Sequence, residues 1–191
     1  MIDKAMNFLC KQVNDYMVLK LQLPPGDAII LFNVSQLGSG NDGGGGVNTN
    51  AFLTLVNIEE DRISKSQENF VRRDNKVFYQ NPKVYLNLFL LFSVNMTYSE
   101  SLKRLSCIIQ FFQFQNVFTH LTSPSLPEGI DELILDLYTI SFQDLNNLWG
   151  VMGSRYLPSV MYKMRLITIS DEFVQGEAGL LQEIIINAKN L

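Results

Sequence analysis

The chain has 191 residues, 47% of them hydrophobic and 18% charged, which is typical of a globular protein with a substantial core. Its formal net charge is −4, which disfavours nucleic acid and anionic membranes as partners, because both bind basic surfaces. The N-terminus shows no signal-peptide pattern, and the longest apolar stretch, 84–94, falls far short of the roughly 20 residues that span a bilayer. We therefore expect a chain that folds in the cytoplasm and does not insert into a membrane.

The first half of the chain predicts one helix and three strands. Apolar residues recur every three or four positions from Ile2 to Met17, the spacing of an amphipathic helix, and a Pro-Pro-Gly turn follows. Short apolar or alternating runs predict strands at 28–34, 51–60 and 84–94. The last of these is apolar at every even position, which favours a central place in the sheet.

The second half predicts two helices and two further strands. Thr97 and Glu100 form a capping-box pattern that opens a helix. Its predicted inward positions are Leu102, Leu105, Ile109 and Phe112. A half-exposed strand is expected at 133–137, a short helix carrying Trp149 after a weaker cap at Ser141, and a last strand at 159–169.

This order of elements lacks the regular alternation of strand and helix that builds a doubly wound fold. The sequence therefore predicts an α+β domain, with an antiparallel or mixed β-sheet and the helices packed on one face.

The residues that carry chemistry do not form a catalytic pattern. Cys10 and Cys107 lie within helix-like apolar patterns, where burial raises the pKa of a thiol, so both are expected in the core. His120 stands alone in a turn-like segment, and one histidine with two cysteines is too small a ligand set for zinc. We expect a protein without enzymatic activity, metal or cofactor.

A glycine-rich tract at 38–46 is the basis of the alternative function. Its first residues satisfy the G-x-G-x-x-G spacing of a dinucleotide site, but a strand is predicted after the tract, where that site requires a helix. The alternative is a small-molecule or nucleotide-binding α+β domain that uses this glycine-rich loop.

The segment 62–83 is polar and holds six basic residues against two acidic ones, a local charge of +4. It is predicted to be a long excursion from the sheet. A solvated loop is the simpler interpretation. The functional interpretation is an electropositive patch that attracts an acidic protein partner, with candidate residues Arg62, Arg72, Arg73 and Lys76.

The last residues differ in character from the rest. Segment 171–191 carries a charge of −3 and has four apolar residues at helical spacing, Leu180, Leu181, Ile184 and Ile185. A helix this short must bury its apolar side, either on its own domain or on a neighbouring subunit. We therefore divide the chain into a domain at 1–170 and a C-terminal acidic, amphipathic extension at 171–191.

Two stretches are specific enough to indicate a family: YQNPKVYLNLFLLFS at 79–93 and LNNLWGVMGSRYLPSVMYKMR at 145–165. They resemble the tail-terminator, or cap, proteins of phage-tail-like contractile injection systems related to the antifeeding prophage. The likeness extends over about residues 1–170 in the same order of elements.

The resemblance implies a phage tail-terminator-like fold and a structural role. Such a protein forms a hexameric ring that binds the last ring of the inner tube, stops its growth and holds the final sheath layer. The partners implied are other copies of the chain, the tube protein and the sheath protein. Trp149 and Tyr156 would anchor the short helix to the sheet, and Arg155 is a candidate interface residue.

Overall fold

The structure, a computed structural model, describes residues 1–37, 49–61, 70–73, 76–79, 85–153, 155–167 and 176–179. These residues form three α-helices, a short 3-10 helix at Val34–Gln36 and nine strands. The helices are α1 (Ile2–Leu21), α2 (Tyr98–Phe114) and α3 (Phe142–Met152). The strands are β1 (Ile29–Leu31), β2 (Ala51–Glu60), β3 (Phe70–Arg73), β4 (Lys76–Tyr79), β5 (Leu86–Val94), β6 (Val117–Thr119), β7 (Glu132–Tyr138), β8 (Ser159–Ile167) and β9 (Gly176–Gly179).

The main sheet has six strands in the order β1-β2-β5-β8-β7-β6. Strands β1 and β2 pair in parallel, and the other neighbours pair antiparallel, so the sheet is mixed. Strand β5 lies inside the sheet, between β2 and β8. The predicted α+β class, mixed sheet and central strand are confirmed.

Helices α1 and α2 pack on one face of this sheet. The even positions of β5, Leu88, Leu90 and Phe92, point to this face and are fully buried. Apolar residues of α1, including Leu9 and Met17, complete the same core cluster. This arrangement agrees with the predicted packing of helices on one face.

Helix α3 covers part of the opposite face. The odd positions Phe89 and Leu91 of β5 point there and form a second, smaller cluster with Trp149 of α3 and Met161 of β8. The helices therefore do not all lie on one side. The physical reason is that β5 is apolar at odd as well as even positions, so both of its faces need cover.

The segment 62–83 is not a plain excursion, which corrects that prediction. Within it, β3 and β4 pair antiparallel, and β9 adds to β4 to make a separate three-stranded sheet. Each of β3 and β4 contains a β-branched residue next to an aromatic or basic one, a composition that short strands accept. Strand β9 lies within the predicted C-terminal extension.

The two predicted helix caps differ. The Ser141 hydroxyl accepts a hydrogen bond from the Asp144 amide at 3.1 Å, so this cap is confirmed. Thr97 occupies the N-cap position of α2 but makes no side-chain cap hydrogen bond. The predicted inward face of α2 is also partly wrong, because Leu102 is 44% exposed and Arg104 is buried instead.

Candidate protein interface

Arg155 lies in the loop between α3 and β8, at the end of the main sheet where β5 ends. Gly153 ends α3 with φ 64°, a left-handed conformation that glycine adopts without steric cost. The exposed Arg155 guanidinium donates a hydrogen bond to Oδ1 of Asn95 at 3.3 Å, and Asn95 directly follows β5. The contact ties this loop to the end of the central strand.

Trp149 and Tyr156, which were both predicted to anchor the short helix to the sheet, form a ring pair beside this loop. Their centroids are 5.8 Å apart in an edge-to-face arrangement. Trp149 is buried against the sheet, whereas Tyr156 is 62% exposed. The tryptophan thus anchors α3, and the tyrosine covers it from the solvent side.

The outward side of α3 carries almost no charge. Its exposed apolar residues include Phe142 at 92% and Val151 at 88%. Its only charged residue, Asp144, accepts a hydrogen bond from the Ser141 hydroxyl at 2.7 Å. Exposed apolar residues with few charges, next to an arginine and a tyrosine, are the composition of protein-interface cores.

The basic candidates lie elsewhere. Arg72 and Arg73 belong to β3 and Lys76 to β4, where Arg73 and Lys76 are register partners and Arg72 pairs with Val77. This hairpin lies between the end of β2 and the start of β5, whereas Arg155 lies near the end of β5. Strand β5 has nine residues and is therefore about 30 Å long. The basic residues are connected to one end of this strand and Arg155 lies at the other end, so the two groups do not form one site at the main sheet.

The other interface candidates lie outside the described residues. These are Arg62 and the four apolar residues of the extension, Leu180, Leu181, Ile184 and Ile185. The glycine tract at 38–46 also lies outside the described residues. The next described element after the tract is strand β2, and not a helix.

The cysteines behave as core residues. Burial raises the pKa of Cys10 to about 11, with a smaller contribution from the negative charge of Asp27. Burial also raises the pKa of Cys107, and no disulfide joins the two thiols. The core position is confirmed for Cys107, whereas Cys10 is only partly buried and packs against the core from its margin.

Two of the grooves in the described part of the structure lie beside α1. One of about 440 Å³ runs between the end of α1 and the first half of α2, and includes Lys20, Leu102 and Lys103. The other, of about 420 Å³, lies between the start of α1 and strands β1 and β2. Arg155 lines neither groove. His120 is exposed in a turn, as predicted.

Arg104 is a residue that the sequence did not single out. It is 9% exposed, and its guanidinium donates hydrogen bonds to the Ala28 carbonyl and, at 3.2 Å, to Oδ1 of Asn50. Asn50 in turn donates to the Asp27 carbonyl at 2.9 Å. Burial lowers the pKa of Arg104, and the charge of Glu100 opposes that shift. The network joins α2 to the segments that precede β1 and β2.

The residues that the structure describes include no group of three side chains able to hold a metal ion. Among the helices formed by those residues, none combines the length and apolar character needed to cross a membrane.

A family model, the Pvc16 N-terminal domain, matches residues 7–183. The chain therefore belongs to the Pvc16 N-terminal domain family, and the resemblance to tail terminators is confirmed. A comparison with curated protein sequences finds no match.

Two solved structures share the fold. The sheath/tube terminator of PVC, an extracellular contractile injection system, in its extended state is 16% identical with a TM-score of 0.59, over 95% of this chain and 63% of that one. The tube-terminating cap of the anti-feeding prophage is 14% identical with a TM-score of 0.60, over 91% of this chain and 59% of that one. This chain thus spans about three-fifths of the length of each.

Proposed function

We propose that this chain is the cap, or terminator, of a contractile injection system. Six copies form a ring that closes the end of the inner tube, stops its polymerisation and holds the last sheath layer. The observation that carries the proposal is the family match over residues 7–183. The fold shared with two terminator structures supports it. The partners are other copies of the chain, the tube protein and the sheath protein.

The proposed mechanism is geometric and involves no catalysis. One face of the ring reproduces the docking surface of a tube ring, and the other offers no site for a further ring. The nearly uncharged side of α3 and the adjoining loop with Arg155 suit such a contact, because protein interfaces are poor in charge at their centre and rich in aromatic residues and arginine.

The remaining interface residues fall into two groups. The basic group steers the subunit toward an acidic protein surface and consists of Arg62, Arg72, Arg73 and Lys76. The apolar group belongs to the extension 171–191, which follows the domain at 1–170. Strand β9 of the extension pairs with β4 of the same chain, and the apolar residues after β9 dock on a neighbouring subunit or the sheath. The subunit assembles in the cytoplasm and becomes part of the particle, which is released or stays in the cell.

The test is a deletion strain of the producing cell. We expect tube and sheath protein to be made, with particles of irregular length or with unstable, prematurely contracted sheaths, because nothing seals the last ring. A plasmid copy of the wild-type chain should restore uniform particles. Uniform, intact particles from the deletion strain in electron micrographs would overturn the proposal.

A truncation after Ser170 tests the role of the extension. A lost core element would lower the melting temperature of the isolated subunit, whereas a lost interface would spare it and abolish ring formation or sheath attachment. A stable truncated chain that still caps particles would remove the extension from the account.

A further inference from the structure

Both edges of the main sheet are hydrogen-bonded within their own chain. At edge strand β1, the Ile29 amide donates to Oδ1 of Asn14 at 3.4 Å. At edge strand β6, the Thr119 amide donates to Oγ1 of Thr122 at 3.0 Å. Each of these strands has only three residues. Addition of a strand from another protein, which needs a free edge, is therefore disfavoured at the main sheet, and a contact there depends on side chains.

Two apolar side chains are almost fully exposed at one end of the helix pair α1 and α2. Phe114, the last residue of α2, is 82% exposed, and Leu121, in the turn after β6, is 95% exposed. The Gln115 side chain donates a hydrogen bond to Oγ of Ser123 at 3.0 Å, which ties the end of α2 to the segment that follows this turn. Phe114 and Leu121 are called the apolar knob below.

The groove of about 440 Å³ lies at the other end of the same helix pair, between the end of α1 and the first half of α2. It is called the α1–α2 groove below. Its apolar lining comes from Leu21, Leu102 and Cys107, and its two cations are Lys20 and Lys103. None of the described residues that line it is acidic. Because lysine ammonium groups attract the face of an aromatic ring, the groove suits an apolar group that contains such a ring.

The knob and the groove of one chain lie too far apart to meet. The two helices run antiparallel, because the ring centroids of Tyr16 and Phe111 are 5.2 Å apart, whereas Lys20, near the end of α1, lines the groove at the start of α2. Phe114 follows Leu102 by 12 positions on α2, which is about 18 Å at a rise of about 1.5 Å per residue. The knob can therefore fill only the groove of another molecule.

We propose that the apolar knob of one copy inserts into the α1–α2 groove of the next copy. A second copy is the occupant because both halves of the contact, an exposed aromatic and aliphatic pair and an apolar groove with two cations, are on this chain. An apolar or aromatic anchor in a pocket of the partner is the usual energetic centre of a protein interface.

The contact is head-to-tail, because it joins two different surfaces at opposite ends of the helix pair. Contacts of this kind close into rings when the rotation between copies allows it. The inference rests on the proposed function, since it assigns the contact between copies in the proposed ring. It leaves the outward side of α3 and the loop with Arg155 available to the tube.

Engineered disulfides test the contact in particles made by the deletion strain. One double variant is Leu102→Cys with Leu121→Cys, and the other is Leu102→Cys with Phe114→Cys. After mild oxidation we expect at least one of them to give a ladder of up to six linked chains on a non-reducing gel. A disulfide requires Cα atoms within about 7 Å, so a ladder reports direct contact between copies.

The controls are the three single-cysteine variants and the wild-type chain. The wild-type chain should give no ladder, because burial raises the pKa values of both of its own thiols. Each single variant should stay monomeric, because a head-to-tail contact does not bring two copies of one position together. Dimers of a single variant would indicate a two-fold contact and would overturn the inference.

Removal of the knob tests its contribution to assembly. For Phe114→Ala with Leu121→Ala we expect incorporation into particles to fall by about tenfold or more, because the contact loses its anchors. The matched control is Ile58→Ala with Leu137→Ala, two exposed apolar residues outside the knob and the groove, and it should be incorporated normally. Equal melting temperatures of the purified variants exclude unfolding as the cause of a loss. Normal incorporation of the knob variant would overturn the inference.

The remaining outcomes separate this contact from its alternatives. If the knob met the tube or the sheath, the knob variant would be lost from particles and neither cysteine pair would give a ladder, which also overturns the inference. If the deletion strain itself gives uniform particles, the proposed function fails. A clear deletion phenotype without a ladder from either pair refutes only the contact.

Discussion

The buried Arg104 network gives the sharpest prediction about stability. The Arg104 side chain bonds to Ala28, which is 4% exposed, and to Asn50. In Arg104→Ala both acceptors lose a charged donor, and a buried acceptor left without a partner costs about 1–3 kcal/mol. Removing a buried cation whose Nε has no partner offsets part of this loss. Oδ1 of Asn50 keeps the Ala51 amide as a donor at 2.9 Å, so the cost comes mainly from the Ala28 carbonyl. We expect a net destabilisation of about 1–3 kcal/mol.

The assay is urea unfolding followed by circular dichroism, with a thermal scan beside it. For a chain of this size about 1 kcal/mol lowers Tm by about 2–4 °C, so we expect a fall of about 2–12 °C. Both hydrogen bonds of Arg104 come from the same nitrogen, Nη1, so Arg104→Lys, which keeps the charge and one donor nitrogen, should destabilise less than Arg104→Ala. Arg165→Ala is the matched control, because its ion pair with Asp136 at 3.1 Å is about half exposed and should be worth less than about 1 kcal/mol. Equal stability of Arg104→Ala and Arg165→Ala would refute the reasoning.

Three further predictions concern caps and thiols. Ser141→Ala should lower the free energy of unfolding, measured by chemical denaturation, by about 1 kcal/mol. Thr97→Ala should lower it much less, because of these two residues only Ser141 makes a side-chain cap hydrogen bond. Equal losses for the two variants would contradict the prediction. Gly153→Ala should destabilise by about 1 kcal/mol in the same assay, because its φ of 64° disfavours a side chain, and an unchanged midpoint would speak against this. Burial raises the pKa of Cys10 from 9.0 to about 11, so the protonated thiol stabilises the fold fully below pH 9, and this contribution is lost as the pH rises toward 11. Cys10→Ser should therefore lose less stability at alkaline pH than the wild-type chain. Identical profiles of stability against pH for the two proteins would contradict this prediction.

The sequence predicted the elements whose side chains follow a clear period. Strand β5 is apolar at every even position, and β2 was predicted with its observed bounds, because both are long runs between turn signals. The hairpin of β3 and β4 was missed, since basic and polar residues outweigh its short apolar runs. The apolar odd positions of β5 indicate that its second face also needs cover, but they do not say which element covers it, because that depends on the order of strands.

The candidate interface was only partly accessible to such reasoning. Arg155 was named on the basis of family resemblance, but its bond to Asn95 joins residues that are distant in sequence, which no local pattern reveals. Arg104 was overlooked because an arginine in an amphipathic helix is normally placed on the solvent side. Its burial is caused by the carbonyl and amide oxygens that the chain brings together before β1 and β2.

The central claim is that this chain sits once, as a ring, at the end of the tube. The most direct measurement is a cryo-electron microscopy reconstruction of both ends of purified particles, with the chain carrying a small affinity label that an antibody fragment recognises. The account predicts label at one end only, on a six-fold ring in contact with the last tube ring and the last sheath layer. Label along the particle, label at the baseplate, or its absence from intact particles would contradict it.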